Sequence, residues 1–169
     1  ETGQAYFPAL EAAILGATRD IFLETYIFQD DRVGRRIADA LRTAAIGGVR
    51  VRVLVDGFGS AGFVSTLMPW LQESGVEVMV FRREIQRLLL RRHRLRRLHR
   101  KLVVVDGRIA FVGGINVIDD FDPLAPDHPR HDYAVRVEGP LLEPILATME
   151  RLWRHVRWAS LRRRPRLLA

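Results

Sequence analysis

Three short runs of β-branched and aromatic residues, separated by helical stretches, constrain the fold more than any other feature of the chain. The runs cover residues 21–28 (IFLETYIF), 49–56 (VRVRVLVD) and 76–81 (VEVMVF), and each has the composition of a buried strand. Between them, residues 34–45 carry apolar side chains at helical spacing with arginines opposite, and residues 63–73 predict another helix. This order implies parallel neighbouring strands with helices packed on the sheet.

The pattern changes in the second half of the chain. Residues 102–105 and 109–112 are apolar runs joined by an Asp-Gly dipeptide, which favours a tight hairpin turn. Residues 133–138 alternate as a further strand, and residues 140–155 predict a closing helix. We therefore expect an α/β fold, with a mixed, largely parallel central sheet flanked by helices on both faces as an α-β-α sandwich.

The length of 169 residues is that of one domain. We expect residues 1–3 to be a cloning remnant and residues 4–169 to form a single domain. The sequence has no apolar run of about 18 residues, so it predicts no transmembrane helix. It has no cysteine, which excludes disulfides and thiolate metal sites.

The net charge of +7 indicates anionic partners: nucleic acid, acidic lipid or a phosphate-bearing substrate. Residues 82–100 hold nine arginines and a single acid, with leucines between the arginines. Such a segment suits an anionic bilayer, with leucines inserted and arginines at the phosphates. A nucleic-acid backbone would suit the arginines equally, and a solvated loop would leave the leucines without a role. The residues expected to bind the membrane or another anion are Arg87, Leu88, Leu89, Leu90, Arg91 and Arg92.

Lys101 is the single lysine among 27 lysine and arginine residues, and it forms the spacing H-x-K-x-x-x-x-D with His99 and Asp106. On a strand, His99 and Lys101 would point to the same face. An imidazole beside an ammonium suits attack on a phosphodiester, with the imidazole as nucleophile and the ammonium holding the phosphoryl oxygens. Asn116 could donate a hydrogen bond to the same oxygens.

Each of these residues also has a purely structural interpretation. His99 could be a polar residue at a strand edge, and Asp106 could be the first residue of the turn, which hairpin geometry alone favours. Gly114 and the glycine before it could mark a bulge or a backbone crowding point, and Asn116 could cap the next turn. Lys101 is the hardest to explain in this way, because a compact ammonium differs from the planar guanidinium used everywhere else in the chain.

The stretch HRKLVVVDGRIAFVGGIN resembles the HKD motif of the phospholipase D superfamily, including the trailing GG-x-N. The likeness extends to bacterial cardiolipin synthases, and most closely to their shorter B-type branch, through GQAYFPALEAAILGATRDIFLETYIFQDDRVG, VRVLVDGFGS, LHRKLVVVDGRIAFVGGIN and HDYAVRVEGPLLEPI. It implies a phosphatidyltransferase with a phosphatidylglycerol-like substrate. It also implies a peripheral protein on the cytoplasmic side of the bacterial cytoplasmic membrane. No cofactor and no metal are expected, since covalent catalysis with cationic side chains does the work that metals do elsewhere.

The resemblance implies roles for the individual residues. His99 would form a phosphohistidine intermediate, with Lys101 and Asn116 holding phosphate oxygens. The resemblance also places Asp106 among the catalytic residues. Its turn position suggests that it shapes the motif as much as it contacts substrate. Gly114 belongs to the trailing segment and would support the phosphate site.

Two further acids are candidates for supporting roles. Asp132 begins the segment HDYAVRVE, which the family places behind the nucleophilic histidine, so it would orient His99; it could equally be an ordinary residue at a strand start. Glu24 lies inside an otherwise apolar run. Because burying an unpaired carboxylate is costly, we expect Glu24 to pair with an arginine or to lie near the site.

Phospholipase D enzymes use two HKD motifs, and a chain with one lysine can hold only one. Either the chain is the N-terminal half of a longer enzyme, or two copies pair about a twofold axis. Three functions stay open: a phosphatidyltransferase half, a homodimeric phosphodiesterase or nuclease, and a non-catalytic half that binds anionic lipid. The four matching blocks and the leucines among the arginines favour the lipid enzyme, so nucleic acid is not the expected partner.

Overall fold

The computed structural model describes residues 3–82, 97–120 and 131–162. The helices in these residues are α1 (Gly3–Leu15), α2 (Arg32–Ile46), α3 (Ala61–Ser65), α4 (Leu67–Glu73) and α5 (Leu142–Arg162). The strands are β1 (Asp20–Thr25), β2 (Arg50–Asp56), β3 (Glu77–Phe81), β4 (Lys101–Val105), β5 (Ile109–Gly113) and β6 (Ala134–Val137). Helix α1 begins at Gly3, inside the segment expected to be a remnant. No helix among the described residues is long and apolar enough to cross a membrane.

The six strands form one sheet in the order β3-β2-β1-β4-β5-β6. Strands β1, β2 and β3 pair in parallel, whereas β1 with β4, β4 with β5, and β5 with β6 pair antiparallel. The predicted mixed α/β sheet is confirmed, but parallel pairing is confined to one half of it. The reason is that β4 and β5 form a hairpin, which ends the strand-helix alternation of the first half.

Both faces of the sheet are covered by helices, as predicted. On one face, side chains such as Leu23 and Val53 pack in a core with α1, α2, α3 and α4. On the other face, Phe22 and Leu54 pack against α5. The centroids of the Phe22 and Trp153 rings lie 5.3 Å apart there, in an edge-to-face arrangement. Strands buried on both faces read as continuous apolar runs, which is why the first three strands could be recognised in the sequence.

The predicted hairpin turn joins β4 to β5. Asp106 and Gly107 have φ angles of 53° and 63°. Positive φ at both residues, with the Arg108 amide donating to the Val105 carbonyl at 3.0 Å, is the turn geometry that Asp-Gly favours. Strand pairing joins Lys101 to Gly113 and Val105 to Ile109, so three residues, 106–108, lie between the paired ends.

Candidate active site

The predicted nucleophile lies at the edge of the sheet where β1 ends and β4 begins. The register of this antiparallel pair sets Glu24 opposite Leu102, so residues just before β4 lie beside residues just after β1. Tyr26 follows β1 directly, and its ring lies 4.9 Å from the ring of His99, centroid to centroid. The site is therefore built where the carboxyl end of a parallel strand meets the start of an antiparallel strand.

His99 and Lys101 lie together, as their spacing predicts. The Lys101 Nζ atom lies 3.3 Å from Nδ1 and 3.4 Å from Nε2 of His99, and 5.5 Å from the centre of the Tyr26 ring. His99 is exposed, whereas Lys101 is 7% exposed. Burial lowers the pKa of the Lys101 ammonium, and the charge of Asp132 opposes that shift. An accessible imidazole thus lies over a largely buried cation.

Asn116 is brought to the same edge of the sheet. Its Oδ1 atom accepts a hydrogen bond of 3.0 Å from the Ile27 amide, which ties the segment after β5 to the residues after β1. This bond fixes the orientation of the side-chain amide. It uses the oxygen and leaves the Nδ2 hydrogens as donors for another group.

Gly114 and Asp132 contact each other next to this site. The Gly114 amide donates to the Tyr133 carbonyl at 2.8 Å, and a Cβ atom at position 114 would collide with the Asp132 carboxylate. Glycine therefore lets the carboxylate approach the backbone. Asp132 is exposed, accepts a hydrogen bond from the Tyr133 amide at 2.8 Å, and acts electrostatically on Lys101. Its predicted role in orienting His99 stays a prediction.

Asp106 lies at the opposite end of β4. It follows Lys101 by five positions, which correspond to roughly 17 Å of strand. Its carboxylate accepts hydrogen bonds from the Thr18 amide and hydroxyl, both at 2.9 Å, and from the Arg19 and Asp20 amides at 2.8 and 3.0 Å. Burial opposes its ionisation, but these bonds prevail and lower the pKa of Asp106 to about 2. Asp106 therefore ties the hairpin turn to the start of β1. This geometry supports the interpretation that Asp106 shapes the motif, and its catalytic assignment stays a prediction.

Glu24 pairs with an arginine beside the site, as predicted. It is 0% exposed, and its Oε2 atom lies 2.7 Å from Nη2 of Arg100. The contact is an ion pair without hydrogen-bond geometry, and neither carboxylate oxygen has a hydrogen-bond donor among the described residues. Burial raises the pKa of Glu24 to about 7, against the attraction of Arg100.

Asp56 is a buried acid that the sequence interpretation missed. It ends β2 and is 0% exposed. Its Oδ2 atom accepts from the Leu98 amide at 2.9 Å, and its Oδ1 atom accepts from the amides of Phe58 and Gly59 at 2.9 and 3.2 Å. An acid that ends an apolar strand before a glycine-rich loop is a signal that could have identified it, because such strand ends share one edge of the sheet.

The six leucine and arginine residues expected to bind the membrane lie outside the described residues. The same holds for the rest of residues 83–96. Within residues 3–82, 97–120 and 131–162, no three histidine or acidic side chains are grouped to hold a metal ion.

The fold belongs to a class already seen in solved structures. It is similar to Nuc from Salmonella typhimurium, a phospholipase D family member, with a TM-score of 0.64 and 20% identity over 87% of this chain and 86% of that one. It is also similar to NucT from Helicobacter pylori, with a TM-score of 0.69 and 15% identity over 89% of both chains. At these identities the similarity establishes a phospholipase D-like fold.

The family follows from the sequence itself. Residues 10–121 match the family described as the PLD-like domain of cardiolipin synthase. Cardiolipin synthase B of Salmonella typhimurium is 43% identical in an alignment 150 positions long, which covers 86% of this chain and 35% of that protein. Its counterpart in Escherichia coli K12 is 37% identical in an alignment 175 positions long, gaps included, which covers 98% of this chain and 42% of that protein. The chain belongs to this cardiolipin synthase family, which confirms the resemblance, and it spans about two fifths of these relatives.

Proposed function

We propose that the native protein is a phosphatidyltransferase of the cardiolipin synthase type, to which this chain contributes one of two half-sites. The observation that carries the proposal is the exposed His99 imidazole lying within 3.4 Å of the Lys101 ammonium. A phosphodiester placed on that imidazole has a fixed cation beside its non-bridging oxygens. The Asn116 amide hydrogens lie at the same sheet edge and would donate to those oxygens.

The proposed reaction has two displacements at phosphorus. A ring nitrogen of His99 attacks, a phosphorus–nitrogen bond forms, and the bond to the departing alcohol breaks. The alkoxide takes a proton from a general acid that the other half-site supplies. A hydroxyl of a phosphatidylglycerol-like acceptor then gives its proton to that group and attacks phosphorus. The phosphorus–nitrogen bond breaks and His99 is regenerated.

The second half-site must come from outside residues 1–169, because the sequence has one lysine. A longer chain would supply it covalently. The length of the relatives supports this, since this chain spans 35% and 42% of them. The protein would attach peripherally to the cytoplasmic side of the membrane through the leucine and arginine segment.

A second candidate function is a homodimeric phosphodiesterase with two identical half-sites. Its support is that this chain covers 86% of Nuc, so a protein with one such domain exists in the phospholipase D family. Two copies would then bring two His99 side chains to one phosphodiester. The third possibility is a half that binds anionic lipid without catalysis.

One experiment separates these functions. The chain is incubated with phosphatidylglycerol vesicles in one arm and a labelled oligonucleotide in the other, alone and with the remainder of the native reading frame. We expect cardiolipin when both halves are present and none with His99→Asn. Oligonucleotide cleavage by the chain alone would establish the phosphodiesterase. Vesicle binding without turnover in any arm would support the third function, a half that binds anionic lipid without catalysis.

A further inference from the structure

Two fully buried carboxylates lie on adjacent strands near one edge of the sheet, two residues apart in register, since Glu24 pairs with Leu54. Glu24 and Asp56 are near the carboxyl ends of the adjacent parallel strands β1 and β2, and both are 0% exposed. Glu24 and Asp56 lie on the face covered by α5, because Phe22 and Leu54, each two residues earlier on these strands, pack against that helix. Burying even one carboxylate costs several kcal/mol unless it is paired, so the partners of these two acids are informative.

Each acid has one partner that lies next to His99 in the sequence. Asp56 accepts the Leu98 amide at 2.9 Å, and Glu24 lies 2.7 Å from the Arg100 guanidinium. Leu98 itself is buried in the core beneath α5. The residue before His99 and the residue after it are therefore both attached to the same face of the sheet.

His99 needs such attachment because it precedes β4. Strand pairing begins at Lys101, opposite Gly113, and residues 97–100 belong to no strand. Neighbouring residues of an extended chain point to opposite faces. Fixing Leu98 and Arg100 on the α5 face therefore turns the imidazole of His99 to the face of Lys101, whose Nζ atom lies 3.3 Å from it.

We propose that Glu24 and Asp56 are positioning residues that hold the His99 imidazole against Lys101 by binding the residues on either side of it. The proposal concerns the geometry of His99 and rests on the proposed function only where turnover is measured. An imidazole must be held within about 0.5 Å of its productive position for efficient attack, and an accessible side chain outside a strand has few other constraints. Glu24 and Asp56 act through the backbone and through Arg100 rather than on the substrate.

The test is the imidazole spectrum of His99 in protein labelled with ¹⁵N-histidine, assigned through His99→Asn. The variants are Glu24→Gln, Arg100→Gln, Arg100→Lys and Asp56→Asn. The matched control is Arg52→Gln, which removes a buried ion pair with Glu150 at 2.6 Å on the same sheet face. Arg52 pairs with Phe22, so it lies two residues from Glu24 in register and four residues before Asp56 on β2. The control lowers stability without touching the residues beside His99.

We expect Glu24→Gln, Arg100→Gln and Asp56→Asn to shift or broaden the His99 resonances. Arg100→Lys should restore most of the wild-type spectrum, because it returns a cation to Glu24. Arg52→Gln should leave the His99 signals unchanged despite a lower melting temperature. In turnover, kcat should fall about tenfold in the three disruptive variants with KM nearly constant, as for a mispositioned nucleophile.

A His99 spectrum that Arg100→Gln and Asp56→Asn leave unchanged would overturn the proposal, as would equal effects of Arg52→Gln. If Glu24→Gln does not fold, the spectrum of Arg100→Gln tests the proposal instead. Arg100 is partly exposed, so its replacement is expected to be tolerated by the fold. The spectra need no substrate. If the wild-type chain combined with the remainder of its native reading frame shows no lipid turnover, that result would count against the proposed function and leave the positioning result intact.

Discussion

The two ends of β4 carry residues of one sequence motif and have opposite physical characters. At its start, His99 is exposed, while Lys101 beside it has a lowered pKa. At its end, Asp106 accepts four hydrogen bonds and has a pKa of about 2. The imidazole is accessible, whereas the Asp106 carboxylate is occupied by hydrogen bonds to residues 18–20. We therefore propose that the motif has two separate roles, with a reactive end at His99 and a structural end at Asp106.

The largest effect should come from removing the reactive end. His99→Asn is expected to lower turnover by at least about 10³-fold, because no other side chain can form the covalent intermediate. The melting temperature should stay nearly constant, since an exposed substitution changes stability by about 0.5 kcal/mol or less. Lipid turnover and thermal unfolding, measured on one preparation of the variant, check these two expectations. A large loss of stability would mean that His99 is structural.

The next largest effect should come from Lys101→Arg. The charge is retained, but a planar guanidinium does not fit the largely buried place of an ammonium 3.3 Å from the imidazole. We expect kcat/KM to fall by about 10²-fold, the usual cost of losing one oriented donor to a developing charge. Arg108→Lys is the control, since Arg108 is exposed and lies beyond the turn at the other end of the motif. Near-normal turnover in Lys101→Arg would remove the special status of the single lysine.

A different outcome is expected at the structural end. Asp106→Asn replaces a two-oxygen acceptor by a single oxygen, so it cannot accept all four bonds to residues 18–20. The free energy of unfolding should fall by about 2–3 kcal/mol, which is about 5–10 °C in melting temperature for a chain of this size. Turnover per folded molecule should change severalfold at most. An unchanged melting temperature with abolished turnover would return Asp106 to the catalytic group.

The pH dependence of stability gives the smallest and most specific effect. The folded pKa of Asp106, about 2, lies below its ordinary value of 3.8, so its contribution is present above about pH 4 and is lost as the pH falls towards 2. Chemical denaturation between pH 2 and 6 should show a steeper acid loss in wild type than in Asp106→Asn. Parallel curves for the two proteins would show that other carboxylates account for the acid sensitivity.

Sequence patterns predicted what depends on local chemistry. The first three strands were found within about three residues because β-branched runs between helices are distinctive, and the hairpin was found because Asp-Gly suits positive φ. The helix expected over residues 63–73 is divided into α3 and α4 at Thr66, which no residue pattern marked. The proximity of His99 and Lys101 followed from their spacing alone.

Long-range pairing could not be predicted in the same way. The acceptor role of Asp106 depends on residues 86 to 88 positions away, and the Leu98 amide reaches Asp56 across 42 positions. Neither partner is indicated by local spacing. The sequence did predict that Glu24 would pair with an arginine or lie near the site, because an unpaired buried carboxylate is costly, but it could not name Arg100.

The most direct test of the account is to locate the covalent intermediate. The chain, combined with the remainder of its native reading frame, is reacted with head-group-labelled and acyl-labelled phosphatidylglycerol, quenched in base, and mapped by mass spectrometry. We expect a phosphatidyl adduct on His99 whose phosphorus–nitrogen bond is stable in base and labile in acid, and which persists in Asp106→Asn. An adduct that forms unchanged in His99→Asn, or one that disappears in folded Asp106→Asn, would contradict the division of the motif into a reactive end and a structural end.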